Sequence, residues 1–267
     1  MKNTIAQIDK IVIKIGSSSL THESGLLDLW KMESLVKQIA NLYNSGKSII
    51  VVSSGAIAAG IGKMKLKERP KSIPEKQAAA AVGQSTLMHM YEKFFSEYGI
   101  TVAQVLLTKE DMNEDTRRAH CINAFEALIS HRIIPIVNEN DVVAIDEIKV
   151  GDNDTLSAEV CKMINFDNLI ILSDINGVYN KDPRKYQDAH MIYRIDDIAM
   201  LDTIDAGDAG SNNGTGGMQT KFKAARIIAD IHKTLLIVNS GYPNILNEVF
   251  SGETHGTFFD FRGIKEK

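Results

Sequence analysis

The sequence predicts an α/β fold, a three-layer α/β/α sandwich around a mainly parallel central sheet. Three observations carry that prediction. Short β-branched runs alternate with helical patterns along the chain. The runs are apolar throughout, as in strands covered on both faces. The distinctive polar motifs follow those runs, and ligands of open α/β sheets collect beyond the carboxyl ends of the strands. With 267 residues, 44% of them hydrophobic and 24% charged, the chain can bury a sizeable core.

The first run, Ile11–Ile15, is a buried strand interrupted by Lys14. Trp30, Leu35, Ile39, Leu42 and Tyr43 then fall on one helical face that ends near Gly46, which places Trp30 in the core. Ser48–Val52 is a second buried strand and leads into the small-residue segment Ser53–Gly62. Gln77–Tyr98 is helical, Val102–Leu106 a strand, Thr116–Ser130 helical and Ile133–Val137 a strand. Thr155–Ile164 is a helix, Leu169–Leu172 a strand, Lys221–Ile231 a helix and Leu235–Val238 the last core strand. No Pro- or Ser-rich linker, repeat or low-complexity tract divides the chain, so one domain over residues 1–267 is expected, with two lobes allowed.

Lys plus Arg number 30 against 34 Asp plus Glu, a net charge of −4 that argues against non-specific binding to nucleic acid or an anionic membrane. Any anionic substrate therefore needs local positive charge. Cys121 and Cys161 are far apart and form neither a disulfide framework nor a CxxC pair. Asp9 and Lys10 interrupt any apolar signal core, and no run approaches the ~20 apolar residues that span a bilayer. A cytoplasmic location is expected. The seven histidines lack HxxxH and HExxH spacing, and no Gly-x-Ser-x-Gly elbow occurs, so neither a zinc site nor a hydrolase triad is expected.

The segment Gly214–Lys221 joins glycines to a helix start and a lysine, a combination suited to phosphate. It is not a P-loop, and Gln219 stands where a dinucleotide fingerprint has its third glycine. Lys14 ends a buried strand, and a buried lysine is costly unless an anion meets it. Gly16 and three serines follow at once. Ser53-Ser54-Gly55-Ala56 reads as a strand-to-helix turn whose amides hold an anion, whose Ser54 caps a helix, or both. Asn138-Glu139-Asn140-Asp141 and Gly151-Asp152-Asn153-Asp154 are dense in acceptors and point to a pocket for an ammonium group or metal. Leu156 and Ser157 stand where an EF-hand needs glycine, which excludes that motif. Ser173-Asp174, with Gly177-Val178-Tyr179 and Asp182-Pro183-Arg184, is either plain punctuation or the wall of a nucleotide pocket.

Taken in order, Val12–Ser18, Val52–Gly60, Ala81–Ser85, Asn138–Asp141, Lys149–Asp154 with Leu156–Ala158, and Gly214–Lys221 resemble the amino acid kinase family, in its branch that phosphorylates glutamate. The resemblance spans about residues 10–260. It implies ATP-dependent phosphorylation of the γ-carboxylate of L-glutamate, the first step of proline synthesis, with Mg²⁺ accompanying ATP. It further implies that Lys14 and Lys221 flank the transferring phosphoryl group and that Asp154 orients them. Ser54, Gly55, Asp141 and Asn153 would bind glutamate. Lys14, Gly16, Ser173, Asp174, Thr215, Gly216, Gly217, Met218, Gln219, Thr220 and Lys221 would line ATP. No protein group serves as a metal ligand in this reading. Ser173 stands where the family often has threonine, and the hydroxyl remains.

A carboxylate acceptor is already ionised at neutral pH, so a general base is not required. The resemblance also brings proline as a feedback inhibitor and a homo-oligomer, a dimer or tetramer. Many members carry a C-terminal PUA domain of about eighty residues; with the sequence reaching Lys267, neither that module nor RNA contact is expected. The alternatives are another phosphotransferase of the family, acting on acetylglutamate, aspartate, carbamate or UMP, or a non-catalytic amino-acid or nucleotide sensor.

Overall fold

The structure, a computed structural model, describes residues 5, 7–22, 26–144, 152–183, 185–204, 217–253 and 255–263. In chain order its main elements are β1 (Lys10–Ile15), α1 (Leu29–Asn44), β2 (Ser48–Ser53), α2 (Ala56–Met64), α3 (Ile73–Ser96) and β3 (Val102–Leu107). Next come α4 (Lys109–Asn113), α5 (Asp115–Ser130), β4 (Ile134–Glu139), α6 (Asn153–Met163) and β5 (Asn168–Ser173). After the short strands β6 (Val178–Tyr179), β7 (Met191–Ile192) and β8 (Arg194–Ile195) follow α7 (Met218–Asp230), β9 (Thr234–Asn239), α8 (Ile245–Ser251) and β10 (Thr257–Asp260).

One eight-stranded sheet runs in the order β3-β4-β2-β1-β5-β9-β10-β8. It is parallel except where β10 lies antiparallel to β9, pairing Thr257 with Ile237. The β1 strand is interior: Lys10 to Ile15 pair with Ser48 to Ser53 on one side, and Ile11 to Ile15 with Asn168 to Leu172 on the other. That position puts Lys14 on an interior strand, away from either sheet edge.

Alternation along β1 divides the core in two, because successive side chains leave opposite faces of a strand. Ile11, Ile13 and Ile15 join Met32, Leu35 and Ile39 of α1, Leu87, Tyr91 and Phe95 of α3, and Ile245 and Leu246 of α8. Val12 belongs to the opposite face, with Phe125 of α5, Leu156 and Val160 of α6, and Phe222 and Ala225 of α7. Lys14 shares the parity of Val12 and is therefore aimed at the α6–α7 layer. These layers are the predicted three-layer arrangement.

Trp30 departs from expectation: it is 86% exposed. The buried stripe of α1 is Met32, Leu35, Val36, Ile39 and Tyr43, with Asp28 as the capping residue, accepting from the Lys31 amide. Trp30 lies five positions before Leu35, about 140° around the helix, and Met32 fills the place it would have taken. The small-residue segment after β2 is the helix α2, and its crossing with α3 is closed by glycines. A Cβ on Gly60 would stand 1.8 Å from the Ala79 carbonyl oxygen, and one on Gly83 would stand 1.7 Å from that of Ala56. Cys121 and Cys161 are both free.

Candidate active site

At the carboxyl ends of β1, β2, β4 and β5 the structure gathers the polar residues that the sequence marks. The centre is Asp154, in the first turn of α6, with 1% of its side chain exposed. Its Oδ1 lies 2.7 Å from the Lys14 ammonium, an ion pair without an aligned hydrogen bond at that oxygen. Its Oδ2 accepts from the Lys221 ammonium at 3.1 Å and from the Thr220 hydroxyl at 2.8 Å. Both lysines are buried.

Burial by itself pushes the Asp154 carboxyl up, since it disfavours the charged form. The ammonium groups of Lys14 and Lys221, with the Thr220 hydroxyl, outweigh it and hold the carboxyl well below the usual carboxylate range. The permanent anion that a buried Lys14 requires is therefore part of the protein. Two positive charges share one negative, and the surplus suits a phosphate.

Local sequence explains how three distant residues meet. Asp152 caps α6, accepting from the Thr155 amide at 3.0 Å and the Thr155 hydroxyl at 2.6 Å, so Asp154 falls in the first turn. Gly217 is the residue before α7, which starts at Met218 rather than at Lys221. That earlier start sets Thr220 and Lys221 in the opening turn of a helix, facing Asp154. Met218 is half-buried and Gln219 exposed. Gly151, Thr215 and Gly216 lie outside the described residues.

Beside β1, the 3₁₀ turn Ser17–Ser19 follows Gly16. A Cβ on Gly16 would stand 3.5 Å from the Lys14 ammonium, an ordinary contact distance, so Gly16 lies beside that charge. The Gly16 amide donates to the Leu172 carbonyl at 3.3 Å, extending the β1–β5 pairing by one residue. Ser173 is buried at the end of β5, its hydroxyl 3.2 Å from Asp174 Oδ1, and Asp174 itself is exposed. Ser240, which follows β9, donates to the Ser173 carbonyl and meets the Ser19 hydroxyl at 2.7 Å.

On the other side of Lys14 lies the turn after β2. Gly55 has φ +102°, a left-handed conformation that favours glycine, and precedes α2. Ser54 does not cap that helix with its side chain. Its hydroxyl instead accepts from Asn153 Nδ2 at 2.9 Å, and the same amide reaches the Ser53 carbonyl at 3.2 Å and Asn138 Oδ1 at 3.0 Å. Asp141 is half-buried in the turn after β4. The Gly151–Asp154 motif thus divides its described members: Asp152 caps, Asn153 joins Ser54, and Asp154 joins the lysines.

Sequence reasoning assigns nothing to two supporting residues found here. Tyr91 of α3 is fully buried, and its hydroxyl meets Ser53 Oγ at 2.7 Å. Gln84 accepts from Asn138 Nδ2 at 3.0 Å, inside a motif named without a role. A tyrosine hydroxyl buried in a helix stripe was the available signal, since such a group needs a partner. Among the described residues, no cluster of three or more His, Cys, Asp or Glu side chains gathers to hold a metal. None of the described helices is long and apolar enough to cross a membrane.

A cationic centre between two helix starts, at the strand ends of a mostly parallel sheet, is the arrangement expected of a protein that handles phosphate groups. The chain belongs to the amino acid kinase family, which its sequence matches over residues 9–239. Its curated relatives include the glutamate 5-kinase of Clostridium tetani, 52% identical over 97% of each chain. Another is the glutamate 5-kinase of Clostridium perfringens, 45% identical over 97% of this chain and 98% of that one. The glutamate 5-kinase of Thermoanaerobacter sp. is 49% identical over 94% of this chain and 67% of its own length. Solved structures of similar fold include an isopentenyl phosphate kinase, with TM-score 0.63 and 16% identity over 93% of this chain and 99% of that one. The UMP kinase of Bacillus anthracis is alike at TM-score 0.63 and 14% identity, over 95% and 96% of the two chains.

Proposed function

We propose that this chain transfers the γ-phosphoryl group of ATP to the γ-carboxylate of L-glutamate, giving L-glutamyl 5-phosphate and ADP, the first step of proline biosynthesis. The identity to glutamate 5-kinases over nearly the whole chain supports the substrate pair. The observation that carries the mechanism is the Lys14–Asp154–Lys221 cluster.

A carboxylate oxygen of glutamate attacks the γ-phosphorus while the bond from that phosphorus to the β–γ bridging oxygen breaks. The bond's electron pair leaves with ADP. No proton has to be removed from the nucleophile. Catalysis reduces to holding two anions in line and stabilising charge on the transferring oxygens. Lys14, at the end of β1, and Lys221, at the start of α7, supply that charge from two sides. Asp154 keeps them apart and aimed.

On the acceptor side, Ser54, Gly55 and Asn153 hold the amino acid, and Asp141 pairs with its α-ammonium. On the nucleotide side lie Gly16, Ser173, Asp174, residues 215–219 and Lys221. Mg²⁺ is proposed to arrive with ATP and to offset phosphate charge when bound. The same reading brings proline as a feedback inhibitor, a homo-oligomer and a cytoplasmic location, all drawn from the family resemblance.

The test is an ATP- and Mg²⁺-dependent assay across glutamate, acetylglutamate, aspartate and UMP. Turnover with glutamate at least 100-fold above the others is expected. Preference for another acceptor, or no glutamate-dependent ADP release, would defeat the proposal.

A further inference from the structure

We propose that Thr220 is a positioning residue, whose hydroxyl fixes the plane of the Asp154 carboxylate and through it both lysines, rather than a contact to the nucleotide. The inference rests on the function proposed above and deepens it at one side chain.

The geometry is specific. Thr220 is 5% exposed, and its Oγ1 stands 2.8 Å from Asp154 Oδ2 and 2.8 Å from the Gly217 carbonyl oxygen. Both neighbours are acceptors, and a hydroxyl has one proton to give. The Gly217 carbonyl is neutral, while Asp154 carries a full charge, and a hydrogen bond to an ionised acceptor is roughly twice as strong. The proton therefore belongs on Asp154. The hydroxyl then has no proton left to donate to a phosphate oxygen.

The consequence lies in rotation of the carboxylate. Lys221 and Thr220 both hold Oδ2, whereas Oδ1 has the Lys14 ion pair and no aligned donor. A carboxylate held by two flexible ammonium groups can turn about its own axis and carry both of them with it. A donor on a short side chain, seated in the first turn of α7, removes that freedom. Because Thr220 and Lys221 are consecutive, the hydroxyl also ties the start of α7 to the start of α6. The lysines would then stay at the spacing the transfer needs.

Thr220→Val keeps the shape and deletes the donor, and Thr220→Ser keeps the donor. For T220V we expect kcat to fall roughly 10- to 100-fold, with KM for glutamate and calorimetric affinity for a non-hydrolysable ATP analogue within about threefold. T220S should restore most of the lost turnover. Crystal structures of both variants should show the Asp154 carboxylate turned in T220V and in place in T220S. Wild-type kcat in T220V, equal loss in both variants, or loss of nucleotide affinity matching the loss of kcat would overturn the proposal. So would an unmoved carboxylate in T220V. A wild-type enzyme inactive on glutamate would defeat the functional reading instead, and the two crystal structures would still decide the case of Thr220.

Discussion

One carboxylate serves two ammonium groups and a hydroxyl, so the partners of Asp154 do not lose equally when removed. Lys221→Ala leaves Asp154 with Lys14 and Thr220, and the buried anion remains paired. Asp154→Asn leaves two buried lysines without their anion. K221A should lower kcat by roughly 100- to 1,000-fold, as removal of a charge-stabilising group does, while the urea midpoint moves little. D154N should lose turnover too and also cost about 3–5 kcal/mol of stability. Steady-state kinetics and urea unfolding on both variants separate the cases. Equal stability losses would show that the cluster is not held together by Asp154.

At the scale of elements, the glycines of the α2–α3 crossing set where the acceptor-side turn can sit. Gly83 meets the carbonyl of Ala56, the first residue after Gly55. A methyl group there must push α2 away and carry the Ser53–Gly55 turn with it. Gly83→Ala should therefore cost about 1–3 kcal/mol and raise KM for glutamate more than KM for ATP. Unchanged glutamate KM would detach the crossing from the site. The sequence made six strands of the sheet legible, β1 to β5 and β9, because runs such as Ile11–Ile15 and Leu169–Leu172 are apolar on both faces. It also marked Lys14, Asp154 and Lys221 through their motifs. It left β10 and the two-residue strands unread, since four residues around Phe258 and Phe259 carry no periodicity. The inward turn of Thr220 was hidden as well: it depends on α7 starting at Met218, which a glycine-rich run does not announce. Trp30 misled because an apolar residue near a stripe is not on it.

For the whole molecule, the cluster adds a pH signature. The folded Asp154 carboxyl is held below the ordinary value, so it binds its proton less readily than in the unfolded chain. Its stabilisation is fully present above the ordinary carboxylate value and is lost as pH falls through the lower folded one. The stability difference between wild type and D154N should stay level from pH 7 to about 5 and narrow below about pH 4. Urea unfolding at a series of pH values reads this directly; a gap that widens in acid would reverse the assignment.

The interior position of β1 reaches into the chain's own assembly. Ile11 pairs with Asn168, more than half the chain's length away, and Lys14 finds its anion only when Asp154 exists and its companion cation only at Lys221. On a ribosome adding ~5–20 residues per second, Lys14 precedes Lys221 by roughly 10 to 40 s. During that interval β1 has β2 as its early neighbour, and its lysine waits in water. The charge cluster cannot steer the early stages of folding. It closes late, when α6 and α7 settle on a sheet already begun, and reactivity appears only after the architecture that carries it.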